Sequence, residues 1–116
     1  MSERARQPED LGRLFVERAN AGDVEGLVAL YEPDAVLAVP GGQVQGAALI
    51  REFYAKLLAD GPRFAPGEGQ PALRKGNLAL TSTLLPGGNA TAEVARRQPD
   101  GSWRWVVDQP TVLPPG

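Results

Sequence analysis

The sequence predicts an α+β fold in which three N-terminal helices pack on one face of a mostly antiparallel sheet. Before residue 60, apolar residues recur at helical spacing in three segments, whereas after residue 78 apolar and polar residues alternate between tight turns. Helices followed by consecutive strands are typical of this fold class. The 116 residues suit a single domain, expected over 1–116 with tails at 1–9 and 111–116.

Capping and stop signals bound the three helices. The first is predicted over 10–21, and Asp23 is placed to cap the second. The second helix is short, carries Tyr31 on its apolar face and ends before Pro33. The third is predicted over 47–59, where a wide apolar stripe faces the core.

Strand signals occupy the remaining segments. The run DAVLAVP and the short QVQ that follows two glycines predict a first pair of strands. Asp-Gly within PDGS is typical of a tight hairpin turn and predicts the last pair. The segment 63–71 is rich in glycine and proline and is expected to be irregular. The later strands are predicted over 78–85, 90–98 and 102–109.

The composition excludes several classes of function. The chain has no histidine and no cysteine, so common metal sites, thiolate chemistry and disulfides are not expected. Its net charge is −2 and it has no run of basic residues, which argues against a nucleic-acid partner. It also lacks a long apolar run, so we expect no membrane span, no signal peptide and a cytoplasmic location. No metal or cofactor is expected.

Asp108 is the strongest candidate for a chemical role, because strands disfavour aspartate and this one ends the strand SWRWVVDQ. Strict alternation would place Arg104 and Val106 on the face of Asp108 and the two tryptophans on the opposite face. In an apolar wall, desolvation would raise the pKa of Asp108 and make it a general acid or base. The alternative is a structural carboxylate that pairs with Arg104 or caps the strand.

Three other polar side chains have two interpretations each. Glu93 either faces the interior as a second carboxyl group or forms a cross-strand ion pair with a residue such as Arg104. Tyr31 and Tyr54 lie on apolar helix faces, so each is either a core residue with a tied hydroxyl or a group that orients a ligand.

Three strings carry a resemblance to a known family: NAGDVEGLVALYEPDAVLAVPGG, QGAALIREFYAKLL and PDGSWRWVVD. Together they resemble the ketosteroid isomerase and SnoaL-like group of the nuclear transport factor 2-like superfamily, over about residues 10 to 110. The resemblance implies a cystatin-like fold in which a curved sheet wraps around the helices to form a cone-shaped pocket. It also implies a hydrophobic small molecule as ligand and a homodimer as the usual assembly.

Carried over by position, the family's catalytic groups are only partly kept. Phe15 stands where ketosteroid isomerases have the tyrosine that donates to the oxyanion, and Val39 stands where they have the general base. Tyr54 keeps a supporting tyrosine, and Glu93 is the nearest match to the protonated acid of the oxyanion hole. Asp108 matches the acid–base aspartate of polyketide cyclases.

Two functions therefore stay open from the sequence. One is a binding protein with a hydrophobic conical pocket, and the other is a cofactor-independent isomerase or cyclase that uses Asp108 as its general acid or base. Trp103 and Trp105 are expected on the outer sheet face as the dimer interface. The residues expected to line the pocket are Phe15, Tyr31, Val39, Tyr54, Leu80, Glu93 and Val106.

Overall fold

The computed structural model describes residues 3–113 and confirms the α+β architecture, with helices packed on a mostly antiparallel sheet. The helices are α1 (Asp10–Asn20), α2 (Val24–Val28) and α3 (Ala47–Leu58). Asp23 caps α2, since its side chain accepts a hydrogen bond from the backbone N–H of Gly26. Within residues 3–113, no helix has the length and apolar character needed to cross a membrane.

Eight strands within residues 3–113 form one large and one small sheet. They are β1 (Tyr31–Val39), β2 (Gly42–Gln45), β3 (Glu68–Gly69), β4 (Leu73–Lys75), β5 (Leu78–Thr81), β6 (Thr83–Leu84), β7 (Ala92–Arg97) and β8 (Trp103–Gln109). The large sheet has the order β2-β1-β8-β7-β5-β4, and β3 pairs only with β6. Every pairing in the large sheet is antiparallel except that of β1 with β8. The last strand of the chain therefore lies in the centre of the sheet.

The core lies between the three helices and one face of the large sheet, which we call the inner face. Buried side chains of β5, β7 and β8 define this face: Ala79, Thr81, Glu93, Ala95, Trp103, Trp105 and Asp108. Leu11 and Leu14 of α1 and Ile50 of α3 pack in the same cluster. The opposite, outer face carries exposed apolar side chains, among them Leu80 and Val107.

Tyr31 is the first residue of β1, so its predicted place on the second helix is wrong. That helix ends at Val28, and Tyr31 instead pairs with Trp105 of β8. The backbone N–H of Trp105 donates to the carbonyl of Leu30 at 2.8 Å, which starts the parallel pairing. Pro33 favours this outcome, because the residue before a proline is biased towards extended backbone.

A β-bulge at Val106 overturns the predicted faces of the last strand. Val107 pairs with Val94 and Trp105 pairs with the next residue of β7, Ala95, so Val106 is an extra residue without a partner. The extra residue shifts the alternation by one position. Trp105 and Asp108 consequently share the inner face, and the tryptophans are buried in the chain's own core rather than exposed for a dimer.

Residues 3–9 pack against the domain, although the sequence suggested a tail. Ala5 and Pro8 are buried, and the carbonyl of Ala5 accepts a hydrogen bond from the backbone N–H of Trp103 at 2.9 Å. At the other end, residues 111–113 are exposed. The expected tails also include residues 1–2 and 114–116, which lie outside the described residues.

Candidate functional site

Polar side chains from three neighbouring strands form one row on the inner face. Thr81 of β5 pairs with Glu93 of β7, and Glu93 pairs with Asp108 of β8. Leu37 of β1 continues the row and is fully buried. Directly paired residues have Cβ atoms about 5 Å apart, so the two carboxyl groups are neighbours. The bulge at Val106 is what turns Asp108 towards this row.

Asp108 ends a chain of hydrogen bonds that starts on α3. The Tyr31 hydroxyl donates to Asp108 Oδ2 at 2.5 Å, and the hydroxyl oxygens of Tyr31 and Tyr54 are 2.6 Å apart. Since the single hydrogen of Tyr31 points to Asp108, Tyr54 donates to Tyr31. All three side chains are buried, so the chain fixes the orientation of the carboxyl group.

A second chain of hydrogen bonds holds Glu93. The Thr81 hydroxyl donates to Glu93 Oε1 at 2.5 Å, and Trp105 Nε1 approaches Thr81 Oγ1 at 3.4 Å. Hydroxyl groups of neighbouring side chains thus orient both carboxyl groups. The predicted ion pair of Glu93 with Arg104 is wrong, because Arg104 pairs across the strands with Arg96. Within residues 3–113, neither Glu93 nor Asp108 makes an ion pair.

The two oxygens of Asp108 differ in their hydrogen bonding. Within residues 3–113, Oδ1 has no hydrogen-bond partner. Every side-chain oxygen in that range that is fully enclosed does have a hydrogen-bond partner. Oδ1 therefore keeps contact with solvent although the residue is only 4% exposed. Because Oδ2 accepts from Tyr31, the proton of a neutral Asp108 belongs on Oδ1. Oδ1 then donates when Asp108 is protonated and accepts when it is ionised.

Burial raises the pKa of Asp108 to about 7, against the opposing effect of the Tyr31 hydrogen bond and with a further contribution from the charge of Glu93. Burial also raises the pKa of Glu93, although hydrogen bonds from threonine hydroxyls oppose it. The pKa values of Tyr31 and Tyr54 are raised by burial and by the charge of Asp108, so both keep their hydroxyl hydrogens. The cluster thus combines neutral donors with an acid that titrates near neutrality.

Aromatic rings surround the hydrogen-bond chain. Phe15 of α1 contacts Tyr54 and Trp105 at centroid distances of 6.0 and 6.2 Å, and Phe64 at 5.9 Å. Phe64 lies in an irregular segment that is bound to Asn20 by two hydrogen bonds. The Asn20 side-chain amide donates to the Phe64 carbonyl and accepts from the Phe64 N–H. The wall around the acid is apolar, which explains why desolvation dominates its pKa.

The structure brings together most of the residues predicted for the site. Phe15, Tyr31, Tyr54, Glu93 and Asp108 lie in or beside the cluster. The assignment of Leu80 to the pocket is wrong: it alternates with the buried Ala79 and Thr81, so it lies on the outer face and is 47% exposed. Val39 is half-buried at the end of β1, and Val106 is the half-buried bulge residue.

Sequence reasoning missed Thr81, Trp105 and Phe64. Alternation in LALT would have placed Ala79 and Thr81 on one face, which was a usable signal for the threonine. Nothing in the sequence marks the bulge that turns Trp105 inward. Within residues 3–113, Glu93 and Asp108 belong to no group of three or more possible metal ligands.

Two surface cavities lie away from the Asp108 cluster. The smaller, about 330 Å³, is at the β7–β8 turn and includes Asn77 and Arg97. The larger, about 660 Å³, is lined by residues 3–6, Arg18, Ala29, Leu30 and 102–104, and we call it the N-terminal cavity. Asp108 lines neither of them.

Comparison with known proteins identifies the family of the chain. The model of the SnoaL-like domain family matches residues 13–108, so the chain belongs to that family. The match ends at Asp108.

Solved structures show the same fold at low sequence identity. A protein from Thiobacillus denitrificans, named for a calcium/calmodulin-dependent protein kinase type II association domain, is 17% identical with a TM-score of 0.76; the match covers 93% of this chain and 96% of that one. A ketosteroid isomerase-like protein from Erwinia carotovora is 18% identical with a TM-score of 0.71, over 91% and 94%. An NTF2-like protein with a cystatin-like fold from Novosphingobium aromaticivorans is 24% identical with a TM-score of 0.61, over 86% and 75%.

Proposed function

We propose that the chain binds a small, largely apolar molecule against the inner face and that Asp108 makes the polar contact to it. The observation that carries the proposal is the geometry of Asp108, whose Oδ2 accepts from Tyr31 while Oδ1 has no hydrogen-bond partner within residues 3–113. Ligand sites combine apolar walls with a few oriented polar groups. Here the aromatic rings around Phe15 supply the wall.

The test compares two probes that differ in one hydroxyl group, 2-naphthol and naphthalene. Titrations followed by the backbone amide NMR signals of β7 and β8 should show saturable binding of both, with tighter binding of 2-naphthol. Asp108→Leu should remove that preference, a loss of about 2- to 10-fold, the usual worth of one hydrogen bond. Asp108→Asn keeps an oriented donor and should retain the preference. Equal preference in the wild type and Asp108→Leu would contradict the proposal.

A second candidate is proton transfer, as in a cofactor-independent isomerase or cyclase, and the pKa of about 7 for Asp108 favours it. A carboxylate of that pKa can take a proton from the carbon beside a ketone and return it to another carbon. The chain should then accelerate exchange of the α-protons of 2-tetralone in D₂O, followed by NMR. Asp108→Asn should lower that rate by about 10²- to 10⁴-fold while binding persists. If exchange stays at the buffer rate with the wild type, the chain binds without catalysis.

We also propose that the chain forms a homodimer through the outer face. Leu73, Leu80, Val94, Val107 and Val36 are successive partners across five strands and form one apolar row. Leu73 is 70% exposed, and Leu80 and Val107 are nearly half exposed. Val94 and Val36 are half-buried, and a partly exposed apolar row of this kind is typical of protein interfaces. The similar structure from Thiobacillus denitrificans is named as an association domain, which supports self-association of chains with this fold.

A further inference from the structure

The N-terminal cavity has the size of a small-molecule site and is separate from the Asp108 cluster. Its volume of about 660 Å³ falls within the range usual for ligand pockets. The segment 3–6, which the sequence suggested to be a tail, forms one wall. Arg18 of α1 and the first residues of β8 form others.

The charges that line this cavity are mostly positive. Four arginines line it, Arg4, Arg6, Arg18 and Arg104, against a single carboxylate, Glu3. The existing ion pairs leave three of these arginines without a carboxylate. Arg4 pairs with Asp100, while Glu3 is held by Arg13, which lies outside the cavity. Within residues 3–113, the other three arginines have no carboxylate oxygen within 4.0 Å of a side-chain nitrogen.

Arg18 is the fixed member of this set, because it is only 9% exposed. Its Nη1 donates to the carbonyl of Gly26 at 2.7 Å, and its Nη2 donates to the carbonyl of Glu3. Its Nε–H has no hydrogen-bond partner among residues 3–113. Because every fully enclosed side-chain nitrogen in that range has a partner, this donor keeps contact with solvent. The charge of Glu3 attracts Arg18 only from beyond ion-pair distance, so an anion in the cavity would add a direct counter-ion to this buried guanidinium.

We propose that the N-terminal cavity binds a small anion of the phosphate-monoester class. Arg18 supplies an oriented donor, and the exposed Arg6 and the half-buried Arg104 line two other walls. Guanidinium groups match the oxygens of phosphate in paired hydrogen bonds, and several of them together favour a dianion over a monocarboxylate. The proposal does not depend on the function of Asp108.

The experiment is a calorimetric titration of the full chain with inorganic phosphate and with phenyl phosphate, at constant ionic strength set by chloride. Saturable binding of both phosphates is expected. Phenyl phosphate should bind at least as tightly as inorganic phosphate if the natural ligand is an organic ester. Arg104→Gln and Arg6→Gln should each weaken binding by about 10-fold, since one charged hydrogen bond is worth at least that factor. Arg63→Gln, an exposed arginine that does not line the cavity, is the matched control and should bind as the wild type does.

Glu3 provides a test in the opposite direction. Its carboxylate occupies the cavity wall as a competing anion, so Glu3→Gln should tighten phosphate binding by several-fold. Absence of saturable binding by both phosphates would overturn the proposal, as would equal weakening in Arg104→Gln and Arg63→Gln. Benzoate binding as tightly as phenyl phosphate would overturn the phosphate class. Because the tested arginines are not the buried one, the variants should fold, which their amide NMR spectra would check.

Discussion

Glu93 and Asp108 are direct partners across β7 and β8, and both side chains are buried on the same face of the sheet. Hydroxyl groups of neighbouring side chains orient both, that of Thr81 at Glu93 and that of Tyr31 at Asp108. Burial in an apolar wall raises the pKa of both carboxyl groups, and the charge of Glu93 adds to the rise at Asp108. The two buried acids lower the stability of the fold at neutral pH. Functional sites commonly carry such a cost in stability.

Asp108→Asn should stabilise the fold at pH 8. Folding raises the pKa of Asp108 from 3.8 to about 7, so between these values the folded chain holds a proton that the unfolded chain has released. The stability that this group contributes is present at low pH and is lost as the pH rises through 7. The shift corresponds to at most about 4 kcal/mol, and we expect the variant to gain about 1–3 kcal/mol at pH 8. Urea unfolding at pH 5 and pH 8 measures it.

Asp100→Asn is the matched control for that experiment. Asp100 is an exposed acid whose pKa is lowered to about 2, chiefly by hydrogen bonds from Ser102. It is ionised at both pH values, so its replacement should leave the change in stability between pH 5 and pH 8 as in the wild type. A wild-type chain equally stable at the two pH values, or an Asp108→Asn variant less stable at pH 8, would refute the account of a raised pKa.

Glu93→Gln should lower the pKa of Asp108, because the charge of Glu93 raises it. The amide keeps the shape of the side chain and can still accept from Thr81. The pKa of Asp108 can be followed by the ¹³C signal of its carboxyl carbon during a pH titration. Glu52→Gln, at an exposed site on α3, serves as the control and should not move it. An unchanged midpoint in Glu93→Gln would show that the two groups are not coupled.

Tyr31→Phe should act in the opposite direction. The Tyr31 hydroxyl stabilises the ionised form of Asp108, so its removal should raise the pKa of that carboxyl group above its wild-type value. The variant also leaves the Tyr54 hydroxyl without its buried partner, at a cost of about 1–3 kcal/mol in the free energy of unfolding. Carboxyl NMR and urea unfolding measure the two effects. A lower pKa of Asp108 in this variant would contradict the direction assigned to the hydrogen bond.

Leu80→Glu should dissociate the proposed homodimer. Leu80 lies between Leu73 and Val94 in the apolar row on the outer face, where its replacement would bury a charge at the interface of each copy. Light scattering at micromolar concentration should give twice the chain mass for the wild type and the chain mass for the variant. Leu49→Glu, at a similarly exposed leucine on α3, should remain dimeric. A monomeric wild type would remove the proposal.

The sequence predicted the elements of the fold better than the faces of its strands. The two longer helices and the final hairpin follow from periodicity and turn residues, which act locally. The strand β4 was not predicted, because glycine and proline flank it and indicate a loop. Its extended conformation depends on pairing with β5. Tyr31 was misplaced for a similar reason, since pairing with β8 outweighs a weak helical pattern.

The site depended on a feature with no sequence signal. One extra residue at Val106 reverses the side-chain alternation in β8, and both Val106 and Val107 are ordinary strand residues. The bulge moves Trp105 inward and separates Asp108 from Arg104, the residue that would otherwise have neutralised it. Asp108, Glu93 and the two tyrosines could be chosen from the sequence as candidates, but the inward position of Trp105 could not.

The most direct test of the central claim is the titration of Asp108 itself in the presence of a ligand. The carboxyl ¹³C signal of Asp108 should titrate with a midpoint near 7 in the free chain. Saturation with 2-naphthol should shift this signal and displace the midpoint, because the ligand contacts Oδ1, whereas naphthalene should change it less. A midpoint near 4 in the free chain, or a signal that 2-naphthol leaves unchanged at saturation, would contradict the assignment of Asp108 as the group that meets the ligand.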